Sequence, residues 1–562
     1  MNPIMSRAAG SIILVLILTA CATYKTKMAV QYQNPAEINE KSNANLVHSV
    51  YLIGDAGGSH LGKTAPTLLA LKRQLDQVGD AGSVIFLGDN IYPEGLPKKR
   101  SPDRQAAEWA LKVQLDAVKD HSGKVVLTPG NHDWRLGLDG VRRQEKYVED
   151  YLDRKNVFLP EKGCAGPVTV ELTDNLILAV IDSEWWLQDW DKEPRINADC
   201  PVTTREELIR DYVDVLNKNR NKDIIVAFHH PLVTYGSHGG YFHFKDHIFP
   251  LSNSIKGLYL PLPILGSIYP LLRSAAGVRQ DNSYKPFQDF RNQILARSAE
   301  HENLIFVGGH EHNLQLIEEE NQTHIVSGSG SKSTPLYNGK NLIFGSTGLG
   351  FTTLDSYDDG SIHVRFFEVD ETGKDQMVFT KEVKGPRESE TSFDYSEYES
   401  GESQVNRSIY DPSETTKSGF YRFFWGDWYR HVYGQSLQVP KLDLSTTHGG
   451  LKPIRRGGGM QTNSLRLGTA DGRQYVVRGM EKDAQRTLPS VLKNTFVVDM
   501  MRDLFTTAHP YAAFIIPEMA KAVGIYHTNP KLYYLPKQPA LGQYNASFGD
   551  GLYLFEERPA ND

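Results

Sequence analysis

The chain lacks a strong excess of charge of either sign. Its 61 Lys and Arg residues against 68 Asp and Glu residues leave a formal net charge of −7. Nucleic-acid binding needs a basic surface, so this composition gives no basis for a nucleic-acid partner. With 562 residues, 40% of them hydrophobic, the chain is also too long for one ordinary domain, and we expect two or three.

A long apolar run is missing from the first residues, although a short one is present. The segment SIILVLILTA, at residues 11–20 after Arg7, is too short for a regular membrane span and has the length of the apolar region of an export signal. It ends in Leu18-Thr19-Ala20-Cys21, which resembles the lipobox of bacterial lipoproteins. The resemblance implies that residues 1–21 are a signal peptide and that lipidated Cys21 anchors the exported protein to a membrane of the bacterial cell envelope. A plain secretory signal with an accidental cysteine is the alternative, and it also implies export.

Cysteine is scarce, with three residues in the whole chain. Once Cys21 is set aside, only Cys164 and Cys200 remain. An exported protein meets an oxidising compartment, where such a pair is expected to form a disulfide. Two free, buried thiols are the alternative for this pair.

From residue 46 onwards the sequence alternates between apolar strands and amphipathic helices. Three apolar segments that predict buried strands are LVHSVYLIGD, SVIFLGD and KVVLTPGNHD. Between them, KTAPTLLALKRQLDQVG and SPDRQAAEWALKVQLDAVKD carry apolar residues at helical spacing, and the second helix is expected to have Ser101 as its N-cap and Pro102 in its first turn. This order predicts a parallel sheet with right-handed crossovers.

Every predicted strand of this region ends in side chains that can bind a metal ion. Two later strands, DIIVAFHHP and NLIFVGGHEHN, continue the pattern. Ligands of open α/β sheets bind beyond the carboxyl ends of the strands, so we expect the five strand ends to meet at one edge. Side chains two apart on an extended segment point the same way, so His310 and His312 can face one target together. The residues delivered to this edge are Asp55, Asp89, Tyr92, Asn131, His132, Asp133, His229, His230, His310 and His312.

These side chains supply carboxylate, phenol, amide and imidazole groups, and no thiolate. Such a set suits iron, zinc or manganese. It also contains more ligands than one coordination sphere can use. A shared carboxylate can hold two cations about 3.5–4 Å apart, as in two-metal phosphoryl-transfer sites, so the strand ends favour a centre with two metal ions.

At these residues the chain resembles the metallophosphoesterases, and among them the purple acid phosphatases of the small, tartrate-resistant type. The family pattern is GDxG, GDxxY, GNHD/E, VxxH and GHxH, in that order. All five motifs occur here, at Gly54–Gly57, Gly88–Tyr92, Gly130–Asp133, Val226–His229 and Gly309–His312. The resemblance spans about residues 47 to 370, and Tyr92 is the residue that distinguishes the purple acid phosphatase branch.

The resemblance implies two metal ions with a shared ligand. It assigns ferric iron to Asp55, Tyr92, His312 and the shared Asp89. It assigns the second metal, which is iron, zinc or manganese in the family, to Asn131, His229, His310 and the same Asp89. A phenolate is a hard ligand that favours a trivalent cation, in agreement with this division. Two divalent metals with Tyr92 merely nearby remain the alternative.

For function, the resemblance implies an acid phosphatase-like, metal-dependent hydrolase in which a metal-bound hydroxide attacks the phosphorus of a phosphomonoester. The expected substrate is a phosphorylated small molecule or protein. His132 is expected to contact the phosphate or the leaving oxygen, and Asp133 to orient its imidazole, with a local turn cap as the alternative role for Asp133. His238 lies where family members often carry a substrate-facing histidine, and His230 is interpreted as structural.

For the fold, the resemblance implies an α/β protein, a four-layer αββα sandwich over residues 45–384. The following segment is rich in Ser and Glu and predicts a linker at residues 385–410. Residues 411–562 are expected to form a smaller α+β module, with a hairpin around Asp471-Gly472. This module faintly resembles the small lobe of atypical kinase-like folds and is interpreted as an incomplete one.

Two features of the C-terminal module have competing interpretations. Gly457–Gly459 could cradle a phosphate, with Arg478 where kinase-like folds have a lysine, or could simply be a glycine turn before the hairpin. The aromatic segment GFYRFFWGDWYRHVYG could be a packing patch or a surface for a carbohydrate or a partner. Two other functions stay open for the chain, and the C-terminal module motivates the second of them. One is a phosphodiesterase or nucleotidase using the same site, and the other is a surface binding or assembly protein with an accessory phosphatase domain.

The lipobox generates a prediction about membrane attachment. Cys21→Ser removes the thiol that would be acylated, so we expect the variant either to leave the membrane fraction or to keep its signal uncleaved. Fractionation of the producing cells, with mass measurement of the product, checks this. A fully processed Cys21→Ser protein that still sediments with membranes would show that another part of the chain holds it there.

Overall fold

The computed structural model describes residues 22–29, 32, 44–189, 194–250, 258–262, 265–299, 301, 303–319, 322–387, 393–457, 462–482 and 496–558. The chain divides into two compact units, Met1–Arg387 and Glu388–Asp562. The predicted signal at residues 1–21, with Cys21, lies outside the described residues, as do Gly458 and Gly459 of the proposed phosphate cradle. Among the described helices, none has both the length and the apolar character needed to cross a membrane.

The first unit consists of two β-sheets with helices. Its helices are α1 (Pro66–Val78), α2 (Arg104–Val118), α3 (Gly137–Leu152), α4 (Ser183–Leu187), α5 (Arg205–Lys218), α6 (Phe244–Ile248), α7 (Leu265–Ala276) and α8 (Lys285–Ser298). Its strands are β1 (Lys27–Met28), β2 (Leu46–Ile53), β3 (Gly82–Phe86), β4 (Val125–Leu127), β5 (Val168–Thr173), β6 (Leu176–Val180), β7 (Asp223–Ala227), β8 (Leu304–Gly308), β9 (Leu314–Glu319), β10 (Gln322–Ser327), β11 (Leu342–Ser346), β12 (Gly350–Tyr357), β13 (Ile362–Val369) and β14 (Asp375–Lys384).

The strands are divided between an eight-stranded and a six-stranded sheet. Their orders are β1-β11-β9-β10-β8-β7-β6-β5 and β14-β13-β12-β2-β3-β4. The pairs β2–β3 and β3–β4 are parallel, as predicted, and so are β6–β7, β7–β8 and β8–β10. The expectation of one parallel sheet edge is wrong, because β7 and β8 belong to the other sheet and antiparallel strands extend both sheets.

Alternate residues of the strands face two different apolar layers. On β2, Val50 belongs to a buried cluster that also contains Leu178 of the other sheet. Its neighbour Tyr51 belongs to a second cluster that contains Leu68 of α1. Because successive strand side chains point to opposite faces, one face of β2 packs against the facing sheet and the other against helices. The predicted four-layer αββα sandwich is confirmed.

The helix α2 begins later than the sequence indicated. Its N-cap is Asp103, and Ser101 lies in the turn before the helix. The Asp103 N–H faces the Ser101 hydroxyl at 3.4 Å, and the Arg104 N–H donates to the Ser101 carbonyl at 3.2 Å. Ser101 was therefore wrongly predicted as the N-cap, because its side chain stabilises a preceding turn.

The second unit is a smaller α+β module, as predicted. Its strands are β15 (Gln404–Arg407), β16 (Leu437–Pro440), β17 (Lys452–Gly457), β18 (Thr462–Gly468), β19 (Gln474–Lys482), β20 (Lys531–Leu535) and β21 (Gly551–Arg558). Its helices are α9 (Ser396–Glu399), α10 (Pro412–Thr415), α11 (Gly419–Trp425), α12 (Arg430–Tyr433), α13 (Phe496–Phe505), α14 (Ile516–Ala522) and α15 (Asn545–Phe548). The main sheet has the order β17-β18-β19-β21-β20.

Several predicted details of this unit can now be located. The hairpin around Asp471-Gly472 joins β18 to β19, which pair antiparallel. Arg478 lies on β19 and forms an ion pair with Glu556 of the neighbouring strand at 2.8 Å. The predicted linker contains α9 and β15, and β15 pairs with β16. In the aromatic segment, Phe420 and Phe423 of α11 are exposed.

Candidate metal centre

The carboxyl ends of strands from both sheets meet at one place in the first unit. Backbone hydrogen bonds tie the loops together, from the Asp55 N–H to the Gly88 carbonyl at 3.0 Å and from the Gly309 N–H to the His229 carbonyl at 2.9 Å. A third bond, from the Gly54 N–H to the Ser327 carbonyl at 2.6 Å, links the two sheets. The predicted metal-binding side chains therefore come together, at the junction of two sheets rather than on one sheet edge.

Three of these residues have a left-handed backbone although none is glycine. The φ angles are 57° at Asp55, 53° at Asp89 and 68° at His310. Such angles are uncommon for residues with a side chain and cost roughly 1 kcal/mol or more, even though Asp tolerates them best. All three residues lie within three positions of the end of a buried strand. The turn at the end of each strand thus directs a ligand side chain into the junction.

A first group of ligand atoms comes from Asn131, His229 and His310. The Asn131 Oδ1 lies 3.0 Å from the His229 Nε2 and 3.0 Å from the His310 Nδ1, and these two nitrogens are 3.2 Å apart. The other ring nitrogens face carbonyl oxygens, the His229 Nδ1 at Leu87 (2.8 Å) and the His310 Nε2 at Gln280 (2.7 Å). A carbonyl only accepts, so those outer nitrogens carry the hydrogens.

This arrangement fits a metal ion. In the neutral imidazoles the two inner ring nitrogens keep their lone pairs, and these point at each other and at the Asn131 oxygen. Three acceptors in mutual contact repel one another unless a cation lies among them. The Asn131 Nδ2 is buried and has no hydrogen-bond partner among the described residues, so the amide is held here for its oxygen rather than for a hydrogen bond from its nitrogen.

A second group of ligand atoms comes from Asp55, Tyr92 and His312. The Tyr92 hydroxyl donates to the Asp55 Oδ1 at 2.7 Å and lies 3.1 Å from the His312 Nε2. The His312 Nε2 is 3.4 Å from the same Asp55 oxygen. Asp89 connects the two groups, because its Oδ1 lies 3.4 Å from the His229 Nε2 and its carboxylate forms a metal-capable cluster with Asp55 and His229.

The buried carboxylates of Asp55 and Asp89 favour positive charge beside them. Burial opposes the charged form of His229, yet Asp89, Asp55 and the Leu87 carbonyl outweigh it and raise the pKa of this imidazole to about 10. Burial, together with the Asp55 and Asp89 carboxylates, holds the pKa of Tyr92 well above its usual range. The Tyr92 phenol therefore stays neutral unless a cation compensates the charge, and a phenolate here requires a metal.

Two further predicted residues, His132 and His238, lie beside these side chains. The His132 ring packs edge-on against Tyr92, with ring centroids 4.5 Å apart, and its Nδ1 donates to the Pro93 carbonyl at 2.6 Å. The His238 ring lies 4.0 Å from the His310 ring, and its Nδ1 is 3.0 Å from Asp281. Both imidazoles are partly exposed, so a substrate above the ligands can reach them.

Asp133 does not have the role expected for it. Its Oδ2 accepts from the Gly130 N–H (2.8 Å) and from the Asn90 backbone (3.2 Å) and side chain (3.1 Å), and its Oδ1 accepts from Gln144 (3.0 Å). The His132 Nδ1, which Asp133 was expected to orient, is bound to Pro93 instead. The Asp133 carboxylate thus joins the loop that carries Asp89 to the loop that carries Asn131. This is the role of a local turn cap, the alternative given for Asp133.

His230 is buried beside the first group. Its Nδ1 lies 2.8 Å from the Ser183 hydroxyl, and its Nε2 lies 3.7 Å from the buried Glu184 carboxylate. The ligand atoms of His229, His230 and His310 all lie within 4.8 Å of one another. His230 is therefore close enough to compete as a ligand, although its Nδ1 already has a partner.

The structure adds residues that the sequence did not reveal. Lys332 lies over the Tyr92 ring, and Arg135 lies beside His132. The Gln280 carbonyl faces the His310 imidazole, and the Asp281 carboxylate faces the His238 imidazole. Lys332 belongs to the segment SGSGSKST, which starts at the last residue of β10 and has the Ser- and Gly-rich composition of an ordinary turn. In the structure β10 runs parallel to β8, so its carboxyl end reaches the same junction, and this pairing is not visible in the sequence.

Away from the metal ligands, Cys164 and Cys200 form a disulfide with their Cα atoms 5.5 Å apart. It closes a loop of 36 residues in the first unit.

Comparisons with known proteins agree with this geometry. Residues 48–314 match the family model described as calcineurin-like phosphoesterase. These residues are therefore similar to the metallophosphoesterases, a family that uses a dinuclear metal centre. A search of curated proteins finds no match.

Solved structures with a similar fold share little sequence with this chain. GAP50, the anchor in the inner membrane complex of Plasmodium, is 16% identical with a TM-score of 0.39, and the match covers 60% of this chain and 89% of that one. The purple acid phosphatase PPD1 of yellow lupin is 13% identical with a TM-score of 0.37, over 59% of this chain and 53% of that one. The NAD nucleotidase of Haemophilus influenzae is 9% identical with a TM-score of 0.27, over 59% and 53%.

The position of Asp89 between the two groups generates a prediction about metal content. Asp89→Asn removes the carboxylate that is expected to bridge the two groups, so we expect the purified variant to lose both metal ions. Elemental analysis checks this against wild type and against Asp150→Asn, an exposed control on α3. Two metals retained at the wild-type level in Asp89→Asn would contradict the bridging role.

Proposed function

We propose that the metallophosphoesterase domain is a two-metal phosphatase that hydrolyses phosphomonoesters. The observation that carries the proposal is the convergence of oxygen and imidazole ligands from five strand ends on one buried junction. The proposed ligands are Asp55, Asp89, Tyr92, Asn131, His229, His310 and His312. Two metal ions held by them would supply Lewis-acid binding of phosphate oxygens and would lower the pKa of water.

The residues around the ligands have separate tasks in this proposal. His132 and His238 hold the phosphate from two sides, since one imidazole packs on Tyr92 and the other on His310. A phosphate dianion beside His132 favours the protonated imidazole, which can then give its Nε2 proton to the leaving oxygen. Asp281 accepts from the His238 Nδ1 and so fixes the orientation of that ring. Asp133 and Gln144 keep the loop of Asn131 in place.

The identity of the metals belongs to the same proposal. Tyr92 donates to Asp55 and lies against His312, so a cation among these three would meet a phenol, a carboxylate and an imidazole. Loss of the phenol proton needs a strongly charged cation, which favours ferric iron at this position. The amide and two imidazoles of the other group suit a divalent iron, zinc or manganese ion.

We also propose that the protein is an exported lipoprotein anchored through Cys21. The proposal rests on the Leu18–Cys21 lipobox resemblance in the sequence. The Cys164–Cys200 disulfide is consistent with an oxidising compartment, where such bonds persist.

The catalytic proposal is tested by the hydrolysis of p-nitrophenyl phosphate. We expect the purified protein to hydrolyse it in a metal-dependent way, and to hydrolyse bis(p-nitrophenyl) phosphate far more slowly. A preference for the diester would instead support a phosphodiesterase on the same ligands. Hydrolysis of neither ester by metal-loaded protein would favour the binding or assembly role.

His132→Ala tests the role of the imidazole outside the metal ligands. Loss of a positioned acid or hydrogen-bond donor slows turnover by roughly 10²–10⁴-fold, and we expect a decrease in kcat of that size with the metal content unchanged. Steady-state kinetics and elemental analysis on the same sample check both parts. A fall in metal content would instead place His132 among the ligands.

Tyr92→Phe tests the iron–phenolate proposal. The wild-type protein should absorb visible light, because a phenolate donates charge to ferric iron. The variant keeps the ring that packs against His132 and loses only the oxygen, so we expect it to remain folded, to lose the colour, and to lose less activity than Asp89→Asn. Visible absorption spectra with activity assays check this. A colourless, active wild type carrying two divalent ions would contradict the iron assignment but leave the phosphatase proposal intact.

A further inference from the structure

A cluster of cationic side chains surrounds Tyr92 at the edge of the metal centre. The Lys332 Nζ lies over the Tyr92 ring, 2.9 Å from its centroid. The His132 ring packs against the edge of the same tyrosine, with centroids 4.5 Å apart. The Arg135 guanidinium lies 3.4 Å from the His132 Nε2. We call the two cations Lys332 and Arg135, together with the His132 imidazole, the cationic rim; burial and these two cations lower the pKa of His132.

The position of Lys332 is fixed by the loops that carry metal ligands. The Ser331 hydroxyl donates to the Asp55 carbonyl and accepts from the Gly58 N–H at 3.0 Å. On the other side of Lys332, the Thr334 N–H donates to the His312 carbonyl at 2.8 Å. Hydrogen bonds thus hold the residues flanking Lys332 to the loops of two proposed ligands, so its side chain starts from a defined place beside them.

Among the described residues, Lys332 and Arg135 lack the carboxylate partners that Arg273 and Arg279 have. Beside His310, the Arg273 Nε donates to Asp281 at 2.8 Å, and Arg279 lies 3.2 Å from Glu184. Within the described ranges, neither Lys332 nor Arg135 has a carboxylate within 4.0 Å of its charged nitrogens. Lys332 is partly buried, and a lysine that has lost part of its hydration needs a counter-ion.

The carboxylates whose negative charge acts on Lys332 are Asp55 and Asp89. Both are proposed metal ligands, so their negative charge is taken up once metals bind. The positive charge of the rim is then available to an anion that comes from the substrate. Arg135 is exposed and His132 partly exposed, so such an anion can reach the rim from solvent.

We propose that Lys332, with Arg135 and His132, forms a subsite for a second anionic group of the substrate, namely the leaving phosphate of a phosphoanhydride such as a nucleoside diphosphate. The inference rests on the proposed function, in which His132 faces the leaving oxygen. Arg135 lies beside His132 and Lys332 lies over Tyr92, so in that proposal both cations lie near the place where the leaving group departs. Lys332 is thereby a specificity-determining residue.

The chemistry explains why such a rim discriminates between substrates. In the hydrolysis of a phosphoanhydride, a water oxygen bonds to the terminal phosphorus and the bond from that phosphorus to the bridging oxygen breaks. The electron pair stays on the bridging oxygen of the inner phosphate, and one water proton is released to solution. The leaving group is then itself a phosphate, whose extra negative charge the rim stabilises. An alkoxide or phenolate leaving group carries no such additional charge.

The subsite is tested by the binding of two non-hydrolysable phosphonates to the full-length protein as purified. Methylenediphosphonate has two phosphorus groups and methylphosphonate has one, so the ratio of their dissociation constants from calorimetry reports the second group. We expect Lys332→Gln to weaken the binding of methylenediphosphonate at least about tenfold more than the binding of methylphosphonate. The substitution removes the partly desolvated cation that would pair with the second phosphorus group. Lys332→Arg keeps the charge and should preserve most of the wild-type ratio.

The matched control is Lys146→Gln on α3, where the lysine side chain is 76% exposed, and it should leave the ratio at the wild-type value. A Lys332→Gln ratio equal to that of wild type, in a variant with unchanged thermal unfolding, would overturn the subsite and leave the phosphatase proposal standing. Failure of the wild-type protein to bind either phosphonate would overturn the proposed function, and the subsite with it.

Discussion

Repulsion between buried hydrogen-bond acceptors is the physical constraint on the candidate metal centre of the first unit. The His229 and His310 imidazoles each donate outward to a backbone carbonyl, so their inner nitrogens point lone pairs at each other and at the Asn131 oxygen. Close by, two carboxylates are buried, and the Tyr92 hydroxyl donates to one of them. Metal ions would convert these repulsive contacts into ligand bonds. The raised pKa of His229 has the same origin, since without metals a proton is the cation that the site can acquire.

The surrounding fold supplies the rigidity that this arrangement needs. Turns with positive φ at Asp55, Asp89 and His310 are held by buried strands on one side and by hydrogen bonds between loops on the other. The Asp133 carboxylate and the Ser331 hydroxyl add contacts that tie neighbouring loops together. Strain of this kind persists where the surroundings over-determine the conformation, and here the two packed sheets provide the support.

The sequence predicted that these polar side chains come together, but it did not predict that they would meet at the junction of two sheets. Asp55, Asp89 and His310 were predictable because each lies just beyond an apolar strand, where local order alone places a polar side chain at the strand end. That β7 and β8 belong to a second sheet was not predictable from local order, because periodicity indicates a strand but not its partner. The antiparallel strands β12 and β13 carry none of the proposed ligands, so the motifs do not predict them.

The roles of the residues around the proposed ligands depend on loop conformation, which the sequence pattern does not specify. An aspartate next to a histidine suggests an orienting pair, yet the Asp133 side chain turns back to the Gly130 and Asn90 amides, because the loop has more unsatisfied donors than the imidazole has. Lys332 lies in a Ser- and Gly-rich turn about 240 residues beyond Tyr92 in the sequence, so only folding reveals that the two are in contact. Contacts of this kind depend on loop conformation, which a strand-and-helix pattern does not specify.

The most direct measurement of the central claim is anomalous diffraction from crystals of the metal-loaded protein, recorded at the absorption edges of iron, zinc and manganese. Two peaks about 3.5–4 Å apart are expected, one bounded by Asn131, His229 and His310 and the other by Asp55, Tyr92 and His312, with Asp89 between them. A single peak, or one bounded by His229, His230 and His310 without Asp89, would contradict the two-metal account.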